Sequence, residues 1–260
     1  MKQRIIILTL SLFAFLLLQI DIAFAGDKIF NAIASPFPPF TGNNLKNKGV
    51  AWEICKAALE AQGYTVNLEF APWARAMEDS KKGKYDGLLP AYKTEERMRW
   101  FLYPMPLLTI HTGFIKHKSN KEINYNGDLR TLTGYNIGVG KGYSTEDEFD
   151  KADYLNKIFV STTPQILKML WLERLDLAVG GLEYSLYYLN EINKDPKFIG
   201  IKSDLVVLKP PLKERQAYMI IPIQTRSHKR KVNDFNLGMK KIMNNGVYSN
   251  IIKKYELPKF

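Results

Sequence analysis

The sequence predicts an α/β protein of two lobes, each built on a doubly wound, mostly parallel sheet, with a cleft between them. Three observations carry this. From Lys28 onward, strand-like apolar runs alternate with helix-period segments in the order β-loop-α-β-loop-α-β. A polar stretch, HKSNKEINYNGD, then separates this unit from a second one of the same kind. Beyond Pro210 and Pro211 a last strand-like run leads the chain back to the first unit. A chain that leaves one α/β lobe, builds another and returns makes two lobes joined by crossings.

Each element has a local reason. Lys28 to Ala34 is the first strand, and PFPPF after it is too rich in proline to continue a sheet, so Phe37 and Phe40 sit on a stiff loop. Gly49 to Gln62 carries an apolar stripe at helical spacing and stops at Gly63. Tyr64 to Phe70 alternates as a strand. The stretch from Pro72 to Arg97 reads as helix (Ala74 to Lys82), Gly83 as its C′ residue, a buried strand (Tyr85 to Leu89) ended by Pro90, and a loop holding TEER. Leu107 to Lys116 is extended, and the first crossing is placed at Thr112 to His117. The second unit has strands at Tyr135 to Val139, Lys157 to Val160 and Leu175 to Val179. Its helices are Thr145 to Tyr154, Pro164 to Glu173 and Leu182 to Glu191, the second with proline in its first turn. Gln216 to Ile223 is the returning strand, and Asn233 to Asn244 and Val247 to Tyr255 are closing helices. The boundaries that follow are residues 26–115 and 216–260 for lobe 1 and 116–215 for lobe 2. No sequence repeat stands out beyond this shared plan.

Residues 1–25 read as a signal peptide. Lys2 and Arg4 form a charged start, Ile5 to Ile20 an apolar stretch, and Ala23-Phe24-Ala25 a small-x-small cleavage site. With Gly26 as the first mature residue and no cysteine there to take a lipid, the expected location is the periplasm. The net charge of +11 raises nucleic acid as a partner. Export and the interleaving of acids with the Lys and Arg residues argue against it, and the local excess RSHKRK (226–231) reads as a solvated turn before a helix. The single cysteine, Cys55, lies on the apolar stripe of a helix and reads as a buried, inert thiol. The fold must therefore rest on its apolar core alone.

Arg97 is the leading candidate for ligand chemistry. It lies beyond a buried strand, where open α/β sheets hold small ligands, and its planar fork matches a carboxylate. Trp73, at the start of a helix, is placed to lie over the same crevice. Arg75 offers either a second cation or a surface ion pair with Glu78 or Asp79.

The motifs PFPPF (36–40), GVAWE (49–53), Trp73, GKYDG (83–87), TEER (94–97), FLYP (101–104), GDL (127–129), IGVGKGYST (137–145) and ERLDLAV (173–179) come in one order over nearly the whole chain. In order and spacing they resemble the family 3 extracellular solute-binding proteins, receptors of polar amino acid ABC transporters. The resemblance implies a type II periplasmic-binding-protein-like fold that closes by a hinge, without cofactor, as a monomer. It implies a small carboxylate-bearing ligand clamped by Arg97 and delivered to an ABC transporter permease in the inner membrane. It points to Phe37 and Trp73 as facing aromatic walls of a small-molecule slot, and to Tyr143 and Ser144 in the loop Gly142-Tyr143-Ser144-Thr145, with Thr145 and Glu148 forming a capping box that opens a helix. It also marks a departure. Members that bind amino acids hold the α-amino group with an Asp where this chain has Gly181, and Glu183 two residues on is the candidate substitute.

Catalytic signatures are missing: no GxSxG, no HExxH, and no two histidines at ligand spacing among His111, His117 and His228. The glycines at 138, 140 and 142 have the wrong spacing for a dinucleotide loop. An enzyme related in fold, the periplasmic cyclohexadienyl dehydratase, is the alternative reading, with Arg97, a second cation and Glu183 as acid. A ligand-sensing module is a third.

Overall fold

The computed structural model describes residues 28–141, 145–255 and 257, so the expected signal peptide lies outside the described residues. The first lobe opens with β1 (Ile29–Ala34), α1 (Val50–Glu60), β2 (Thr65–Phe70), α2 (Trp73–Lys81), β3 (Gly87–Tyr92), the short α3 (Glu95–Met98) and β4 (Phe101–Leu102). The long β5 (Leu108–His117) leads into β6 (Asn136–Gly140), α4 (Asp147–Lys151), β7 (Asn156–Val160), α5 (Thr163–Trp171), β8 (Leu177–Gly181), α6 (Leu182–Ile192), α7 (Ile201–Asp204) and β9 (Leu205–Val207). The returning β10 (Lys213–Pro222) precedes α8 (His228–Asn244) and α9 (Val247–Lys254).

The strands follow the order β2-β1-β3-β10-β5-β8-β6-β7, with β4 on β10 and β9 on β5. Strands β1, β2 and β3 run parallel in one lobe, as do β6, β7 and β8 in the other. The crossings are therefore strands of the sheet rather than free linkers. β5 and β10 pair antiparallel, and Thr112 is opposite both Lys213 and Gly181, so one residue joins the two halves. The cores divide at the same place. One draws on Phe30, Leu89, Ile110, Met219 and Phe235, the other on Phe114, Ile137, Leu167, Leu177 and Leu205.

Local chemistry explains the elements and the departures from expectation. In α1, Val50, Ala51, Ile54, Cys55, Ala58 and Leu59 are buried, a stripe at helical period. Cys55 is fully enclosed, and burial holds its thiol well above its ordinary pKa, so it is chemically quiet. Strand β3 does not stop at Pro90. Its pairing with β10 passes from Ala91↔Tyr218 to Leu88↔Ile220, and Pro90 falls in that irregular step, where its missing N–H breaks no regular ladder. TEER is a helical turn, with Thr94 Oγ1 accepting the Arg97 N–H at 3.3 Å. Helix α4 starts two residues later than expected, capped by Glu146, whose carboxylate accepts the Glu148 N–H at 2.8 Å. Thr145 forms no capping box there, because its own N–H goes to the Asp150 carboxylate at 3.0 Å. RSHKRK is not a solvated turn either. His228 to Lys231 form the first turn of α8, and buried Lys231 pairs with Asp86.

A three-residue arrangement occurs once in each lobe. Asp86 accepts the Asn31 N–H at 2.8 Å and returns its own N–H to Asn31 O at 2.7 Å, while Asn67 Nδ2 donates to Asn31 Oδ1. Asp176, Asn136 and Asn156 make the same bonds in the second lobe. Each trio ties the start of one strand to its parallel neighbour and to the turn before the next.

The chain's end is held by Glu53 of α1, whose carboxylate accepts from Lys254 Nζ at 2.7 Å, Tyr255 OH at 2.7 Å and Asn47 Nδ2 at 3.0 Å. Burial alone would raise this carboxyl's pKa, but the three bonds outweigh it and leave the value lowered. A lowered folded pKa stabilises above the ordinary carboxylate range, and that contribution is lost as pH falls through the folded value. Glu53→Gln is expected to cost about 1 kcal/mol at neutral pH and nothing once the pH is below that value. Urea titrations at pH 7 and at successively lower pH check both, the difference between wild type and Glu53→Gln shrinking as the pH falls.

Candidate functional site

The carboxyl ends of the parallel strands converge on one cavity of about 440 Å³. Ser35 and Phe37 follow β1, Tyr92 ends β3, Gly140 ends β6, and Gly180 and Gly181 end β8. Thr112 and Arg215 reach it from the two long strands. This is where an open α/β sheet leaves a crevice, because the connecting segments diverge beyond the strand ends.

Arg97 lies on the α3 turn just past β3, half-buried, and lines the cavity. Its Nη1 donates to Tyr92 O at 2.9 Å, and its guanidinium carbon stands 5.2 Å from the centre of the Trp73 ring. Trp73, the first residue of α2, thus supports the cation and forms wall at the same time. Arg215 is the second cation. Its Nη2 donates to Thr145 O at 3.1 Å, and its guanidinium carbon sits 5.5 Å from the centre of the Tyr92 ring. The Tyr92 phenol is pushed up to about 12, first by burial; Arg215 and Arg97 pull it down and Glu183 pushes it up. Tyr92 would therefore meet a ligand as a neutral hydroxyl.

Both expected rings, Phe37 and Trp73, line the cavity, and Phe37 has further aromatic partners. Phe37 stacks on Tyr184 of α6, with centroids 5.4 Å apart and planes tilted by 30°, and also packs on Phe40. Helix α6 opens at the cavity with Gly181 at its N-cap position and no side chain capping its first amides. The positive end of the helix dipole favours negative charge there.

Of the residues singled out from sequence, Phe37, Trp73 and Arg97 are brought together. Arg75 is not: it is 67% exposed, and its Nε pairs with Asp79 at 3.5 Å. Two positions along a helix turn a side chain about 200° from Trp73. Glu183 is not on the cavity wall. Its side chain is 3% exposed, its oxygens accept the His111 backbone N–H, and Oε1 is 2.6 Å from His111 Nδ1. It fastens α6 to β5 instead. Tyr143 and Ser144 lie outside the described residues. Arg215, Tyr92 and Tyr184 were not singled out from sequence. Among the described residues no group of three or more His, Cys, Asp or Glu is placed to hold a metal, and no helix is long and apolar enough to cross a membrane.

Two lobes, hinge strands between them and a cavity with arginine and aromatic walls at the strand ends define the class, a two-lobed solute-binding fold. The chain belongs to the bacterial extracellular solute-binding proteins, family 3, whose profile it matches over residues 29–258. Similar solved structures share that fold. Substrate binding domain 2 of GlnP from Lactococcus lactis, in its open conformation, has a TM-score of 0.68 at 16% identity, covering 90% of this chain and 97% of that one. The GluR0 ligand-binding core from Nostoc punctiforme, in complex with L-glutamate, has 0.65 at 18%, covering 88% and 100%. The second substrate binding domain of a putative amino acid ABC transporter from Streptococcus pneumoniae has 0.65 at 18%, covering 89% and 100%. No curated protein sequence matches the chain.

Proposed function

We propose that this protein is a periplasmic receptor that captures a small carboxylate-bearing solute between its lobes and presents it to an ABC-type permease. The observation that carries this reading is Arg97: a half-buried guanidinium on the cavity wall, backed by Trp73 and, among the described residues, bonded through one of its five N–H groups, to Tyr92 O. A carboxylate is the group that its free edge fits best. Family membership supports binding as the role, and the likeness to a substrate binding domain of an ABC transporter supports delivery to one. Glu183, the acid that a dehydratase would need, gives its carboxylate to His111, which favours binding over turnover.

In this reading the lobes comprise residues 26–115 with 216–260, and 116–215, and they rotate about the middle of β5 and β10. The cores divide between Ile110 and Phe114 and between Leu208 and Ala217, which supports the second boundary and moves the first to just before Phe114. The working form is a monomer without cofactor, and its positive charge serves no nucleic acid. Closure of a two-lobed receptor shortens the molecule. Small-angle scattering of the exported protein should give a smaller radius of gyration with a solute that raises its melting temperature than without it. An unchanged radius at saturation would remove the hinge.

A further inference from the structure

We infer that the cavity takes a solute with two anionic groups and no ammonium, a dicarboxylate on a short, partly apolar frame. This rests on the receptor reading and names the charge class of its ligand. Two guanidiniums line one cavity, Arg97 and Arg215, on either side of Tyr92. Each donates to one backbone carbonyl, Tyr92 O and Thr145 O. Among the described residues neither has a carboxylate within ion-pair distance. Half-buried cations left in this way want a counter-charge, and a bound solute supplies it as the cavity closes.

No carboxylate lines the described wall that would receive an ammonium. The nearby acids are occupied: Glu183 by His111, Asp150 by the Thr145 N–H, and Glu146 by Lys213 at 3.3 Å, with Arg215 acting on that carboxylate from beyond ion-pair distance. At Gly181 the wall presents the positive end of the α6 dipole, a third feature of that sign. Among the described residues an ammonium placed here meets two guanidiniums and no carboxylate, whereas a second carboxylate meets a guanidinium. The rings of Phe37, Trp73 and Tyr184 leave room for an apolar frame between the two ends.

The test is calorimetry on the exported protein, in buffer free of phosphate and sulfate, with two matched sets of probes. One set is glutarate, L-glutamate and butyrate; the other is phenylsuccinate, phenylalanine and 3-phenylpropanoate. In at least one set the dicarboxylate should bind tenfold or more tighter than both the amino acid and the monocarboxylate. Arg215→Gln should take at least tenfold from the dicarboxylate and less than threefold from the monocarboxylate. Arg215→Lys, which keeps the charge, should retain part of the difference, and thermal melts of both variants show whether they fold. If in neither set the dicarboxylate binds tenfold tighter than its amino acid partner, the inference is overturned and the receptor is left intact. A dicarboxylate unaffected by Arg215→Gln overturns it as well. If no probe in either set, and none of the twenty amino acids, gives heat or a melting shift, the receptor reading falls along with it.

Discussion

Arg97→Ala is expected to weaken binding of the cognate solute by at least tenfold to a hundredfold. The substitution removes charge-assisted bonds and leaves a carboxylate facing Trp73 and the Tyr92 carbonyl with no donor fork. Truncating one partner of a desolvated charge pair costs about 2–5 kcal/mol. Arg97→Lys should fall between wild type and alanine, because an ammonium is a point charge and cannot make two parallel bonds. Folding should change little: α3 is a single turn with no buried residue, and the interactions given up are one bond to Tyr92 O and the contact over Trp73. Calorimetry with a solute found by thermal shift reads the affinity, and a melting curve without solute reads the fold. Equal affinities for wild type and Arg97→Ala would sink the clamp.

Gly238→Ala is expected to be among the most damaging single changes to stability. In an exposed helix interior the same change is worth about 1 kcal/mol of added stability. Here α8 crosses α1 so closely that a Cβ at 238 would lie 2.0 Å from the Ala58 carbonyl oxygen and 2.7 Å from its carbon. Those are backbone atoms of a packed helix, so no side chain can swing aside. The two helices must separate, and Phe235, Met239 and Ile242 withdraw with α8 from the core they share with Ala58 and Leu59. Overpacking of this kind costs about 1–3 kcal/mol or more, enough to outweigh the helix gain. Urea unfolding should show a loss of about 2 kcal/mol or more, and Gly246→Ala, where nothing lies within 4 Å, separates crowding from backbone strain at a glycine.

The sequence announced the fold through alternation of periods, and most strands and helices lie within a few residues of where that pattern puts them. Proline at 90 hid the last part of β3, because a ladder that skips a step removes the penalty on which the expectation rested. At the site, Arg97, Trp73 and Phe37 were visible because each stands next to the end of a strand it follows or precedes. Arg215 was not. It lies in an alternating strand, KERQAYMIIP, far along the chain from Arg97, and only the antiparallel return of β10 beside β3 brings the two arginines to one cavity. Glu183 and Tyr184 are neighbours in a helix, so their side chains point about 100° apart. The sequence could not say which of the two turns inward to His111 and which faces Phe37. The paired Asn-Asn-Asp trios stayed hidden for a related reason, since each consists of three residues scattered over three elements with different neighbours.

The division of the core has a consequence for the order in which the protein is made. The second lobe's core comes from one unbroken stretch, Phe114 to Leu208, and its contacts close as soon as that stretch exists. The first lobe's core joins Phe30, Leu89 and Leu107 to Met219, Ile221, Phe235 and Met239, more than a hundred residues downstream. Until β10 arrives, β3 has β1 on one side and an open edge on the other. Contacts this distant are slow to form, because a long loop must be closed before they give anything back. A growing chain therefore settles its middle first, while its earliest strands wait with an unpaired edge for nearly the last ones.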